Sequence, residues 1–280
     1  SSRSSSAARP GSAPARAGGG PAAAPKPAAP KPATPARPGS ATPAKAGARP
    51  AAPPTAAPRA AVARPVSVSP EQLTGLRRFN LIMAALHFVQ GVFMIVVSND
   101  TTYPIFTNYL TFDVAARALK PNPQLLWNLR FGPAVALFLL ISAVAHLYLG
   151  TIGYRRYSEN LRKGMNPIRF YEYALSSSLM IVLIGMLCGL WDLGAMILLF
   201  GLNAMMNLFG ILMELHNQTT PKTDWTAFIY GCVAGIIPWV VIFLYFMGAV
   251  SSGDAKPPAF VYAIIPTLFV FFNIFAINMV

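Results

Sequence analysis

Charge is scarce in this sequence. Only 11% of its 280 residues are Asp, Glu, Lys or Arg, and only 9 of those are acids. None of the acids precedes Glu71, whereas Arg3, Arg9, Arg16, Lys26, Lys31, Arg37, Lys45, Arg49, Arg59 and Arg64 all do. Large apolar side chains are nearly missing from the same stretch. Residues 1–70 therefore cannot build a core and are expected to form a disordered, basic Ala/Pro-rich tail. Such a tail is either drawn to an anionic membrane surface or nucleic acid, or simply solvated. We expect no nucleic-acid partner. Cys188 and Cys232 are the only cysteines and fall on different apolar segments, so no disulfide is expected. No basic-then-apolar opening marks a signal peptide. The chain begins with Ser1 and reaches Val280 inside an apolar run, so we expect a fragment open at both ends.

Hydrophobic residues are abundant, at 54% with a mean hydropathy of +0.49, which points to a membrane protein. Residues 71–280 form its membrane domain. Six apolar segments follow the tail, at about 79–98, 127–150, 171–190, 193–215, 225–250 and 260–280. Each is near the ~20 residues a helix needs to cross ~30 Å of hydrocarbon. Trp127, Trp191 and Trp225 stand at segment ends, as interfacial aromatics do. Pro133, Pro238 and Pro266 lie inside segments, which membrane helices tolerate. Gly185-x-x-x-Gly189 and Gly231-x-x-x-Gly235 permit close helix approach. The Thr/Tyr/Phe-rich stretch around 101–112 predicts short strands outside the membrane.

Basic residues set the orientation. Arg77 and Arg78 precede the first segment, and Arg155, Arg156, Arg162, Lys163 and Arg169 lie between the second and third. The opposite connections carry Arg117, Lys120 and Lys256 against Asp100, Asp113 and Asp254. The positive-inside rule then puts the N-terminus in the cytoplasm.

Five ionisable residues remain in or beside the segments: His87, Arg130, His146, Glu172 and Glu214. With this orientation His87 lies roughly 12 Å and His146 roughly 6 Å from the cytoplasmic face, at 1.5 Å per residue. Glu172 opens the third helix on that face, while Arg130 stands alone near the outer surface and can snorkel. Gln90 is one turn from His87, and Ser142 one turn from His146. Any one of these could be a packing hydrogen bond. Together with Tyr173 they point to a proton-exchanging cavity, because histidine changes charge near neutral pH and an intramembrane carboxylate needs a partner or a task. Glu172, Ser176 and Met180 share one helix face. Asn203, Met205, Met206 and Asn207, with Trp239, Phe269, Phe271, Phe272 and Phe275, either line a pocket for a flat apolar ligand or are helix packing and lipid-facing surface.

Several of these stretches resemble the heliorhodopsins. They are Tyr171-Glu172-Tyr173-Ala174-Leu175-Ser176-Ser177-Ser178-Leu179-Met180, Leu86-His87-Phe88-Val89-Gln90-Gly91 and Ser142-Ala143-Val144-Ala145-His146. So are Gly201-Leu202-Asn203-Ala204-Met205-Met206, Met213-Glu214-Leu215-His216-Asn217 and the run from Phe271 to Met279. The resemblance spans about residues 72–280. It implies an all-α, rhodopsin-like bundle of seven helices around retinal, of which six are present here, with a cytoplasmic N-terminus. It implies that Glu172 is the counterion of the protonated retinal Schiff base, and that His87, Gln90, Ser142, His146 and Tyr173 form the proton-accepting cavity. Ser176, Met180, Asn203, Met206, Trp239 and Phe272 would form the retinal pocket. The family resembles slow light sensors without established pump activity, homodimeric in the plasma membrane, with an unknown cytoplasmic signalling partner; no enzyme activity is implied. Retinal attachment needs a lysine in a seventh helix. Outside the tail the sequence has Lys120, Lys163, Lys222 and Lys256, all in connections, so we expect truncation and no Schiff base from these lysines.

Two other readings use the same residues. His87, His146 and Glu172 could hold zinc in a membrane-embedded hydrolase, although closely spaced ligand pairs are missing. A proton-coupled transporter is the second, although the halves of the chain show no repeat.

Overall fold

A computed structural model describes residues 66–252 and 258–277, excluding the side chains of Phe275 and Ala276. The expected tail, residues 1–70, lies outside the described residues except for 66–70: residues 66–69 lead into the first helix and Pro70, expected in the tail, opens it. Val66 N–H donates to the Arg162 carbonyl at 3.0 Å.

The order is α1 (Pro70–Val97), β1 (Thr102–Asp113), β2 (Ala118–Arg130), α2 (Phe131–Gly150), α3 (Tyr154–Arg162), α4 (Pro167–Leu187), α5 (Leu193–His216), α6 (Thr226–Ser252) and α7 (Ala259–Ile277). By length and composition α1, α2, α4, α5 and α6 can each cross a membrane. Over its fully described residues, Ala259–Ile274, α7 is equally apolar but shorter.

Capping chemistry moves several boundaries from those expected. Helix α1 starts at Pro70, nine residues before the apolar run, because Ser69 and Gln72 close a reciprocal capping box with Pro70 in the first turn. Pro167 likewise starts α4 four residues before Tyr171. Helix α2 starts four residues late because Trp127–Arg130 extend β2 instead. Asp192 caps α5 by accepting from the Ala195 N–H at 2.9 Å. The basic connection between α2 and α4 contains a helix, α3, that was expected to be loop.

The hairpin bears out the expected strands. Its two strands pair antiparallel with a bulge at Ile105/Phe106 and a turn at Arg117, whose φ is 49°. Ile105 is fully buried, and Phe106 N–H reaches the Trp191 carbonyl at 2.9 Å, tying the hairpin to the α4–α5 connection. Arg130 is not alone: Asp100 accepts from its guanidinium at 2.8 Å.

Helix α4 is the spine. Residues 181–186 are all buried, packed with Leu199 of α5 and Trp239, Ile242 and Phe246 of α6. Of the two glycine pairs, Gly231 and Gly235 do allow close approach: a Cβ at Gly235 would collide with the Met206 side chain of α5. Gly189 has a different task. Its φ of +96° ends α4 in a left-handed turn, with Leu190 N–H donating to the Gly185 carbonyl at 3.0 Å. Pro238 is buried inside α6 and removes one rung of that helix. Cys188 is buried and Cys232 exposed, and both are free.

Candidate functional site

The expected polar residues come together at the end of the bundle where α1 begins, α2 ends and α4 begins. Arg77 Nε marks that end by donating to the Gly150 carbonyl at 3.0 Å. Ser142 Oγ donates to Glu172 Oε1 at 2.6 Å, joining α2 to α4. The His87 and His146 rings stack across α1 and α2, with centroids 5.5 Å apart and planes 19° apart. His87 Nδ1 lies 3.2 Å from Gln90 Oε1. His146, Glu172 and Tyr173 share the wall of a cavity of about 170 Å³ with Asn80, Tyr157, Asn166 and Arg169. Among the described residues no ion pair forms to Glu172.

Two parts of this site were not legible beforehand. Asn80 is buried, and its Oδ1 lies 2.8 Å from His146 Nδ1. The buried face of α1 runs through Leu73, Asn80, Ala84 and Gly91. His87 falls on the same helical stripe, seven residues on from Asn80, which lies inside the expected segment 79–98 but carries no ionisable group to mark it. The second part is Glu214, in the last turn of α5. It accepts from the Asn166 N–H at 2.7 Å and from the Arg169 guanidinium at 3.2 Å, with a side chain only 15% exposed. Close by, burial pushes the Tyr157 phenol above its ordinary value, against the opposing influence of Asn80 and Arg169.

Beyond Glu172 lies a buried amide–hydroxyl cluster between α4 and α5. Asn203 Nδ2 donates to Ser177 Oγ at 2.8 Å and Ser178 Oγ at 3.0 Å. Asn207 Nδ2 donates to Ser177 Oγ at 3.2 Å and to the Asn203 carbonyl at 2.9 Å. Ser177 Oγ in turn donates to the Tyr173 carbonyl at 2.6 Å.

The residues expected to hold a flat ligand divide into two groups. Met206, Trp239 and Phe272 line one cavity of about 470 Å³ between α5, α6 and α7, with Phe170, Cys232 and Ile236. Trp239 meets Phe269 and Phe272 edge-on, with centroids 5.3 and 5.2 Å apart. Ser176, Met180 and Asn203 do not line this cavity. Ser176 and Asn203 are buried between helices, and Met180 packs on the main core.

Membrane-length helices gathered around a half-buried carboxylate, with an aromatic cavity alongside, have the architecture of a rhodopsin-like helical membrane protein. The sequence model of the heliorhodopsin family matches residues 76–280, and the chain belongs to the heliorhodopsin family. It is thus an integral, multi-pass membrane protein of a retinal-binding rhodopsin family. No curated protein matches the chain.

The apolar cavity suits a flat polyene in volume and lining, since ligand sites of ~300–1,000 Å³ with mainly aromatic and aliphatic walls are the norm. The covalent link has no candidate among the described residues. Lys120 pairs with Asp113 in the hairpin, Lys163 caps α3, and Lys222 lies in the connection after α5. Lys256 lies outside the described residues.

Proposed function

We infer that the protein is a light-sensing, retinal-binding photoreceptor that does not pump ions and is not an enzyme. The observation that carries this reading is Glu172: a half-buried carboxylate held by one neutral donor, Ser142, beside the His87–His146 stack. A carboxylate in that state favours a nearby positive charge, because an opposite charge within ~4–6 Å stabilises the charged form. Retinal, when bound, supplies the light absorption and the isomerisation. The chain's own residues supply the rest. Met206, Trp239 and Phe272 hold the polyene and exclude water. Glu172 provides the counter-charge, and Ser142 fixes the direction of its Oε1. His87 and His146, with Gln90 and Tyr173, take up and hold a proton.

The same reading includes six membrane helices with α7 as the sixth, a cytoplasmic N-terminus and a plasma-membrane location. Arg77, Arg155, Arg156, Arg162 and Lys163 on the α1/α3 end support that orientation. A homodimer and a cytoplasmic signalling partner complete it. The hydrolase alternative has no support from the donor set: among the described residues no three His, Cys, Asp or Glu side chains converge as a metal-holding group.

Expression from the natural gene with retinal tests the reading. It predicts a visible absorbance band that hydroxylamine bleaches. Absence of that band from folded protein would overturn it.

A further inference from the structure

Asn80 has no role in the functional reading given so far, yet its geometry determines the state of a histidine. Its side chain is 4% exposed and bonded at both ends. Nδ2 donates to the Leu76 carbonyl at 2.8 Å, one turn back along α1. Oδ1 lies 2.8 Å from His146 Nδ1. The two amide ends cannot be exchanged. Turned over, Oδ1 would face the Leu76 carbonyl, and two acceptors would meet without a proton between them. The end that faces His146 is therefore an acceptor, and His146 Nδ1 must carry hydrogen. A neutral imidazole with Nδ1–H has its lone pair on Nε2. His87 has no such constraint, because its contact is to Gln90 Oε1 at 3.2 Å and, among the described residues, no second bond of Gln90 fixes which amide end faces the ring.

We propose that Asn80 is a positioning residue that fixes neutral His146 as the Nδ1–H tautomer and so makes Nε2 its proton-accepting atom. The role assigned to that atom rests on the proposed function, whereas the tautomer does not. The groups around His146 come from three other elements: Asn80 and His87 from α1, Tyr157 from α3, and Arg169, Glu172 and Tyr173 from α4. Asn80 is the one among them bonded to a ring nitrogen in the structure. An acceptor on Nδ1 leaves one pyridine-type nitrogen on the ring, so a proton arriving at His146 has one place to go. The ring then becomes a cation whose Nδ1–H remains held by Asn80.

The sequence has 3 histidines, so histidine-labelled protein gives a tractable spectrum. The full chain, labelled with 13C,15N-histidine, is placed in lipid nanodiscs without retinal at about pH 8.5, some two units above the ordinary imidazole pKa. His146 signals are assigned by their loss in His146→Gln. The expected result is a one-bond N–H coupling at His146 Nδ1 and a pyridine-type shift at Nε2. Asn80→Leu, which offers no acceptor, is expected to move the proton to Nε2, the tautomer free imidazole prefers. Asn80→Asp keeps an acceptor and is expected to keep Nδ1–H. A wild-type ring protonated on Nε2, or on both nitrogens, would overturn the proposal, and so would Nδ1–H retained in folded Asn80→Leu. Should Asn80→Leu fail to fold, Asn80→Ser replaces it and the wild-type spectrum still decides. The readout needs neither light nor retinal, so it can fail while the photoreceptor reading stands, and the reverse.

Discussion

Glu172 and Glu214 stand at the same end of the bundle and are held in opposite ways. Glu214 receives a backbone N–H and a guanidinium, so its negative charge is already matched within the chain. Glu172 receives one hydroxyl, from Ser142, and among the described residues no cation pairs with it. A matched carboxylate ties α4 to α5 and can do little else. A carboxylate left short of positive charge inside a membrane protein is costly unless a ligand or a proton completes it. The comparison assigns Glu214 to architecture and Glu172 to chemistry.

Removing the charge at each position tests that division. Glu214→Gln should cost about 2 kcal/mol, within the range for losing a hydrogen bond to a charged group, seen as a lowered thermal unfolding temperature in detergent. An unchanged unfolding curve would mean that Glu214 is as free as Glu172. Ser142→Ala should have a smaller effect of about 1.5 kcal/mol, the low end for a hydrogen bond to a charged group. It should also alter the spectrum of the retinal-loaded protein, which Glu214→Gln should leave nearly unchanged.

The apolar cavity is probed more gently. Cys232 lines it while Cys188 is buried, so a thiol reagent should modify Cys232 first. Retinal should slow that reaction several-fold, and equal rates with and without retinal would place the ligand elsewhere. The smallest effect is expected outside the bundle. The Asp224 carboxyl is held below its ordinary value, first by the Thr226 hydroxyl and N–H and then by His216. Its contribution to the α5–α6 connection is present above the unfolded value and is lost as pH falls through the depressed folded one. Hydrogen exchange of residues 217–226 should therefore quicken only below about pH 4, near the ordinary carboxylate pKa, and Asp224→Asn should abolish that change.

The apolar spans were legible because hydrocarbon thickness sets their length, and depth counting alone brought His87, His146 and Glu172 into the same half of the bundle. Their mutual contacts were not legible. Helix rotation about the axis is set by packing, which gathers Met206, Trp239 and Phe272 on one cavity and turns Ser176, Met180 and Asn203 into the protein. The pairing of Arg169 with Glu214 joins residues 45 apart in sequence, and no spacing rule reaches that far. Asn80 was hidden for a simpler reason. It lies inside the expected segment 79–98, on the stripe of His87, but an amide carries no charge, and only ionisable groups stood out there. Helix α3 escaped because charged residues dominate its sequence and it has no apolar run.

The most direct test of the account is a pH titration of the visible band in the natural gene product loaded with retinal, wild type against Glu172→Gln. If Glu172 is the counter-charge, the pH at which the band bleaches should fall by about 1–3 units in the variant, the usual effect of an opposite charge at close range. An unshifted titration would remove Glu172 from that role.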